Sequence, residues 1–175
     1  MHKTNVAALF LCAAMVTGCG EIPPALENMT EATHTIEAEE PQATEQGPGP
    51  VKSTWTFDDG VKVTLVSLKR GTVPQIAAGG NPGDPAVIVK VKIENDSDRK
   101  IDVSQMSIDV RVGADGDSTQ QTFTGDSSNP EGTLAKGRSY THEAMFAAKK
   151  EFKKVAVDVT PTWNHGPALF EDQLK

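Results

Sequence analysis

Alternation of apolar and polar residues is what most restricts the fold open to this chain. Val61, Val63 and Leu65 alternate with Lys62 and Thr64, and Val87, Val89, Val91 and Ile93 with Ile88, Lys90, Lys92 and Glu94. Met106, Ile108, Val110 and Val112 alternate with Ser107, Asp109 and Arg111. Tyr140, His142, Ala144 and Phe146 share one face of a later segment, and Val155, Val157 and Val159 share one face of the next. Successive side chains of a strand point to opposite faces, so this pattern builds antiparallel sheets with one dry and one wet surface. Only Ala147–Lys154 competes as helix, and it is expected to give at most a turn or two.

Turn chemistry separates these runs. Asp58-Asp59-Gly60 stands between Trp55–Phe57 and Val61, and Asp-Gly supplies the positive φ of a tight hairpin. Asn95-Asp96-Ser97-Asp98 closes the second strong run and Gly113-Ala114-Asp115-Gly116-Asp117 the third. Gly71–Pro85, with Gly79-Gly80-Asn81-Pro82-Gly83-Asp84, reads as a long loop and as the first place to look for a contact surface. Strands at this spacing predict an all-β fold, an antiparallel β-sandwich of about seven strands, in one domain over 53–162 followed by a C-terminal tail, 163–175.

The N-terminal third is different in kind. After Met1-His2-Lys3, Val6–Val16 is an uncharged apolar run, the size of a signal-peptide core and well short of the roughly 20 residues that cross a bilayer as helix. It ends in Val16-Thr17-Gly18-Cys19, which resembles the lipobox of bacterial lipoproteins. The resemblance implies cleavage of residues 1–18 and attachment of diacylglycerol to Cys19; Val16 and Thr17 depart conservatively from the usual Leu and Ala or Ser. Cysteine usage agrees, because Cys12 leaves with the signal peptide and no disulfide can then form within the mature chain. Two or three acyl chains anchor stably where one does not. The expected location is the extracytoplasmic face of the cell membrane.

Residues 19–52 follow as an acidic tether. Gly20–Val51 contains five prolines and seven glutamates, with no aromatic residue, lysine or arginine. Such a segment cannot bury enough apolar surface to offset the entropy of ordering it, and its flexible span would be roughly 30 Å. The formal net charge of the whole chain is −7. The tether carries all seven of those negative charges, so Lys52–Lys175, with 17 acidic and 16 basic residues, is nearly neutral. That balance argues against nucleic acid, which requires a basic patch.

Ala86–Asp98 (AVIVKVKIENDSD), Glu131–Gly137 (EGTLAKG), the Tyr140–Phe146 strand and Val155–Thr160 together resemble the small immunoglobulin-like domains of Gram-positive lipoproteins. Many of these form a large domain-of-unknown-function group, similar in fold to a mycobacterial secreted immunogenic protein. The resemblance spans about residues 53–162. It implies an immunoglobulin-like sandwich at the cell surface and carries no functional residue across.

The chemistry-bearing residues form no recognised motif. His142-Glu143 opens like a zinc-protease helix, but the second histidine is replaced by Phe146 and the segment reads as strand. His165 falls in the expected tail, where a solvated histidine is the simpler reading, and His34 falls in the tether. Gly125-Asp126-Ser127-Ser128-Asn129 does not match a nucleophile elbow, and no Walker lysine follows the glycine loop. Asp58-Asp59, Asp96-x-Asp98 and Asp115-x-Asp117 offer oxygen ligands for calcium, although aspartate is also what turns prefer. A copper site would want Met106, His142 and Met145 together. Strand period instead puts His142 and Met145 on opposite faces, and Met106 on an apolar one. Trp55 and Trp163 could stack a sugar, but packing is the expectation for both. The sequence therefore predicts no catalytic residue, metal site or cofactor. It predicts a non-catalytic binding or accessory module held at the membrane through Cys19 and facing an envelope protein or cell-wall partner. The alternative is an envelope carrier of a small ligand or of calcium or copper.

Overall fold

The alternating runs become strands, and their dry faces meet. The computed structural model describes residues 47–125 and 129–174. The expected signal peptide, Cys12, Cys19, the tether up to residue 46, and Asp126, Ser127 and Ser128 lie outside the described residues. The strands are β1 (Thr54–Thr56), β2 (Val61–Thr72), β3 (Pro85–Asn95), β4 (Ile101–Asp102), β5 (Ser107–Val112), β6 (Asp117–Ser118), β7 (Gln120–Thr122), β8 (Thr133–Leu134), β9 (Arg138–Ala147), β10 (Lys154–Thr160) and β11 (Ala168–Gln173). One 3-10 turn, Val103–Gln105, precedes β5.

All named strand pairs are antiparallel. One sheet has the order β1-β2-β3-β9-β7 and the other β11-β10-β5-β6, while β4 and β8 form a small two-stranded sheet. Their inner faces make one apolar core. Val61, Val63, Leu65, Val87, Val89, Val91 and Ile93 fill it from the first sheet, and Val110, Val112, Val155, Val157, Val159 and Phe170 from the second. The wet faces carry the intervening charges, paired as Lys90–Glu143, Arg111–Asp158 and Lys154–Glu171. The fold is a β-sandwich, as the alternation predicts.

Register is adjusted once in the long central hairpin. Leu65 stands opposite Val91 and Ser67 opposite Lys90, so Val66 is an extra residue in β2. A bulge reverses which face later side chains take. That is why Leu68, three positions after Leu65, also packs on the core and stands opposite Val89.

Two expectations change. The segment 163–175 is not a tail: Ala168–Gln173 pairs along the whole of β10 and buries Ala168 and Phe170. Residues 49–52 are not free tether. Gly49 N–H donates to Leu169 O (3.0 Å), Gly49 O accepts from Glu171 N–H (2.9 Å), and Lys52 N–H donates to Leu65 O (2.7 Å). The chain therefore enters the domain along β11, and Val155, Val157 and Val159 have a strand on each side. No helix forms over Ala147–Lys154. Ala148 and Phe152 are instead drawn into the core, and Arg70 lies over the Phe152 ring, 5.2 Å from its centroid.

Candidate functional site

Topology leaves one side of the sandwich open. β7 pairs with β9 only over Met145–Ala147, and β6 pairs with β5 only at Arg111 and Val112. Beyond these short covers, a cleft of about 440 Å³ lies between the two sheets. Met106 and Ile108 line it from the β5 side and His142 from β9, with Gln121, Ser104 and Glu131 around its mouth. Its volume falls in the range of small-ligand sites, roughly 300–1,000 Å³.

His142 is the unusual member. It is 7 % exposed, yet among the described residues no hydrogen-bond partner meets its ring; its one ring contact is a stack on Tyr140 at 6.2 Å. The ring nitrogens are not sealed off from the cleft, which leaves them open to water or to a ligand. Burial holds its pKa below the usual 6.5, which keeps the ring neutral at neutral pH. Met145 points to the opposite face as expected, into a separate small cluster with Val73, Ala86 and Ala147. Met106 and His142, assigned by period to two dry faces, share the cleft.

Thr162, His165 and Asp59 bring together the residue types of a hydrolytic triad, but the arrangement is a structural clip. His165 Nδ1 lies 2.7 Å from Thr162 Oγ1, and Nε2 lies 3.1 Å from Asp59 Oδ2. A carboxylate only accepts, so Nε2 carries the proton in this contact and Nδ1 accepts from the threonine hydroxyl. Triad geometry is the reverse, with the carboxylate on Nδ1. The ring also packs edge-on against Phe57, centroids 4.8 Å apart. His165 is thus half-buried, with its side chain 6 % exposed, contrary to the expectation of a solvated tail. The clip holds the turn between β10 and β11, and that turn presents Trp163 to solvent at 82 % exposure. Trp55 packs in the core as expected, and Trp163 does not.

The acidic turns are occupied by their own partners. Asp59 Oδ1 accepts from Val61 N–H, Asp96 pairs with Lys62, Asp98 with Lys136, and Asp117 with Lys150 at 2.8 Å. These ion pairs hold the Asp96 and Asp98 carboxyls below the ordinary carboxylate range. Among the described residues, no three His, Cys, Asp or Glu side chains converge as a metal site.

The expected contact loop is shorter than Gly71–Pro85, since β2 runs to Thr72. It is also pinned. Ala78 exchanges two backbone hydrogen bonds with Phe123, both 2.8 Å, and Val73 is buried. Gly79 has φ +86°, and a Cβ there would stand 2.4 Å from Gln121 O, so only glycine fits this crossing. Ile76, at the loop's apex, is 86 % exposed.

The sequence pattern of the family described as Domain of unknown function (DUF4352) matches residues 57–168. The chain belongs to this family. The matched span runs from Phe57, beside the clip, to Ala168, the first residue of β11, so it takes in the cleft, the clip and the pinned loop. No curated protein matches the chain significantly. Among solved structures, the yjhA protein from Bacillus subtilis is similar over 65 % of this chain and 81 % of its own, at 15 % identity and TM-score 0.50, a likeness of fold. An uncharacterized β-sandwich protein from Clostridium difficile 630 covers 77 % of this chain and 100 % of its own, with 12 % identity and TM-score 0.47. For the secreted protein MPT63 from Mycobacterium tuberculosis the figures are 72 % and 98 %, with 17 % identity and TM-score 0.46.

Proposed function

We propose that this chain is an exported, lipid-anchored member of the DUF4352 family that works as a non-catalytic binding or accessory module on the outer face of the cell membrane. The observation that carries the reading is the sequence Val16-Thr17-Gly18-Cys19 at the end of an eleven-residue apolar run. The thiol of Cys19 is the group that would be alkylated by a diacylglyceryl group to give a thioether, and the small residues before it suit an extended backbone in a peptidase cleft. Among the described residues no helix is long and apolar enough to cross a membrane. A binding role is supported by how the reactive residue types are used: His165, Thr162 and Asp59 are tied together in the clip, and Asp96, Asp98 and Asp117 are paired with lysines. Trp163 and Ile76, held outward on fixed turns, are the apolar contacts such a module would offer a partner in the envelope.

Fractionation of cells expressing the parent and Cys19→Ala tests the anchoring. The parent should sediment with membranes, and the variant should move to the soluble or secreted fraction. Equal membrane retention of both would overturn the lipid anchor. Crosslinking in the same cells tests the accessory role, which predicts a single envelope partner captured by the anchored form and lost with Cys19→Ala.

A further inference from the structure

We propose that the cleft between β5 and β9 binds a soft monovalent metal ion, Cu(I), held by the Met106 thioether and the His142 imidazole. This site is independent of the anchoring reading and stands or falls on its own residues.

The two donors come from opposite walls. Packed sheets stand about 10 Å apart, a gap that two side chains reaching from facing strands can span. His142 is 93 % buried by the complement of its exposure, is unpartnered, and lines the cleft. Its ring nitrogens take no hydrogen bond from the described residues and face an open cleft, so the imidazole is free to coordinate. The fold keeps it available: Glu143 on one side and Thr141 on the other point to the wet face, and the ring's only neighbour of its own kind is Tyr140, which stacks without occupying a nitrogen.

The donor set selects the ion. Calcium takes six to eight oxygens and structural zinc takes four ligands of thiolate, imidazole or carboxylate. Among the described residues the cleft is lined by one carboxylate, Glu131, and one imidazole. A thioether is a poor ligand for hard cations and a good one for Cu(I), which accepts low coordination numbers. Met145, the other methionine near β9, is on the far face and serves as an internal control.

The experiment uses the full chain with Cys12→Ser and Cys19→Ser, so that thiols do not compete, and with methyl-labelled methionine. Ag(I), a redox-inert stand-in for Cu(I), is titrated while methionine methyl and histidine ring resonances are followed by NMR, and the titration is repeated with Cu(I) under ascorbate. The expected result is that the Met106 methyl and the His142 ring move together and saturate together, while the Met145 methyl stays in place. Met106→Leu conserves volume and should fold, which the unmoved Met145 signal verifies. In that variant the apparent dissociation constant read at His142 should rise at least ~10-fold, the equivalent of about 1.4 kcal/mol. If Met106 and His142 fail to respond together, or if His142 responds equally in Met106→Leu, the site does not exist.

Discussion

Asn95 shows how one residue holds several segments. It is fully buried at the end of β3, its Nδ2 donates to Arg99 O (2.7 Å) and Leu134 O (2.8 Å), and its Oδ1 accepts from Ser97 N–H (3.0 Å) and Ser97 Oγ–H (2.6 Å). Asn95→Ala removes all four of these hydrogen bonds at a fully buried position and should destabilise the protein by about 3 kcal/mol in urea unfolding. Asn95→Asp should do no better, since a carboxylate cannot donate to those carbonyls. Across the wet face of the second sheet, Asp109 stands directly opposite Asp158. Burial first, and then Asp109, raise the Asp158 pKa against the pull of Arg111. Asp109→Ser should relieve a like-charge pair, stabilise by about 0.5 kcal/mol, and bring the Asp158 pKa down towards the ordinary range when followed by NMR. His142 gives the opposite sign of pH dependence. Its folded-state pKa lies below 6.5, so the unfolded chain takes up the proton first as pH falls. The stability it contributes is complete above that value and is lost as pH drops through the interval down to the folded-state pKa. Glu131 is the charged group lining the same cleft and Tyr140 the ring beside it. His142→Gln should flatten the stability–pH curve just below about 6.5, and an unchanged curve would show that His142 is not the group titrating there. At this scale the sequence disclosed the residue types, including the turn role of Asn95, but not their partners.

At the scale of elements, the strands with regular alternation were legible and those without it were not. β11 reads Ala168-Leu169-Phe170-Glu171-Asp172-Gln173, too short and too acidic to register as strand from its own pattern. Its conformation is set by β10, with which it pairs from end to end, and by the vacancy that Phe170 fills in the core. Phe170→Ala should cost about 4 kcal/mol, as for other large core aromatics. The bulge at Val66 was equally hidden, because a single extra residue leaves no compositional mark. In the pinned loop, Gly79→Ala meets both a positive φ and the Gln121 carbonyl, and should destabilise by about 2 kcal/mol, measured by thermal unfolding.

For the molecule as a whole, the boundary of the folded unit lies before the point that composition marks. Composition ends the tether at residue 52, where prolines and glutamates give way to lysine and aromatics. Among the described residues backbone hydrogen bonds begin at Gly49, and Val51 N–H donates to Asp172 Oδ2 at 3.0 Å. A chain started at Ser53 should therefore be less stable than one started at Gly47, by about 2 kcal/mol for the edge bonds lost from β11 and β2. Equal urea midpoints for the two would show that this entry segment contributes nothing. The sequence by itself determined that the chain makes a sandwich, because alternation is a local property that says which face of each strand must be dry. It also placed the hairpin turns, through residues that tolerate positive φ. Only the tertiary structure decided which strands are neighbours, and with that which side of the sandwich stays open, because a dry face does not specify what it meets. The His165 clip depends on Asp59, 106 positions away, and the cleft exists because β5 and β9 outrun the short strands β6 and β7. Met106 and His142 share that cleft for the same reason: their faces were written in the sequence, and their meeting was settled by packing.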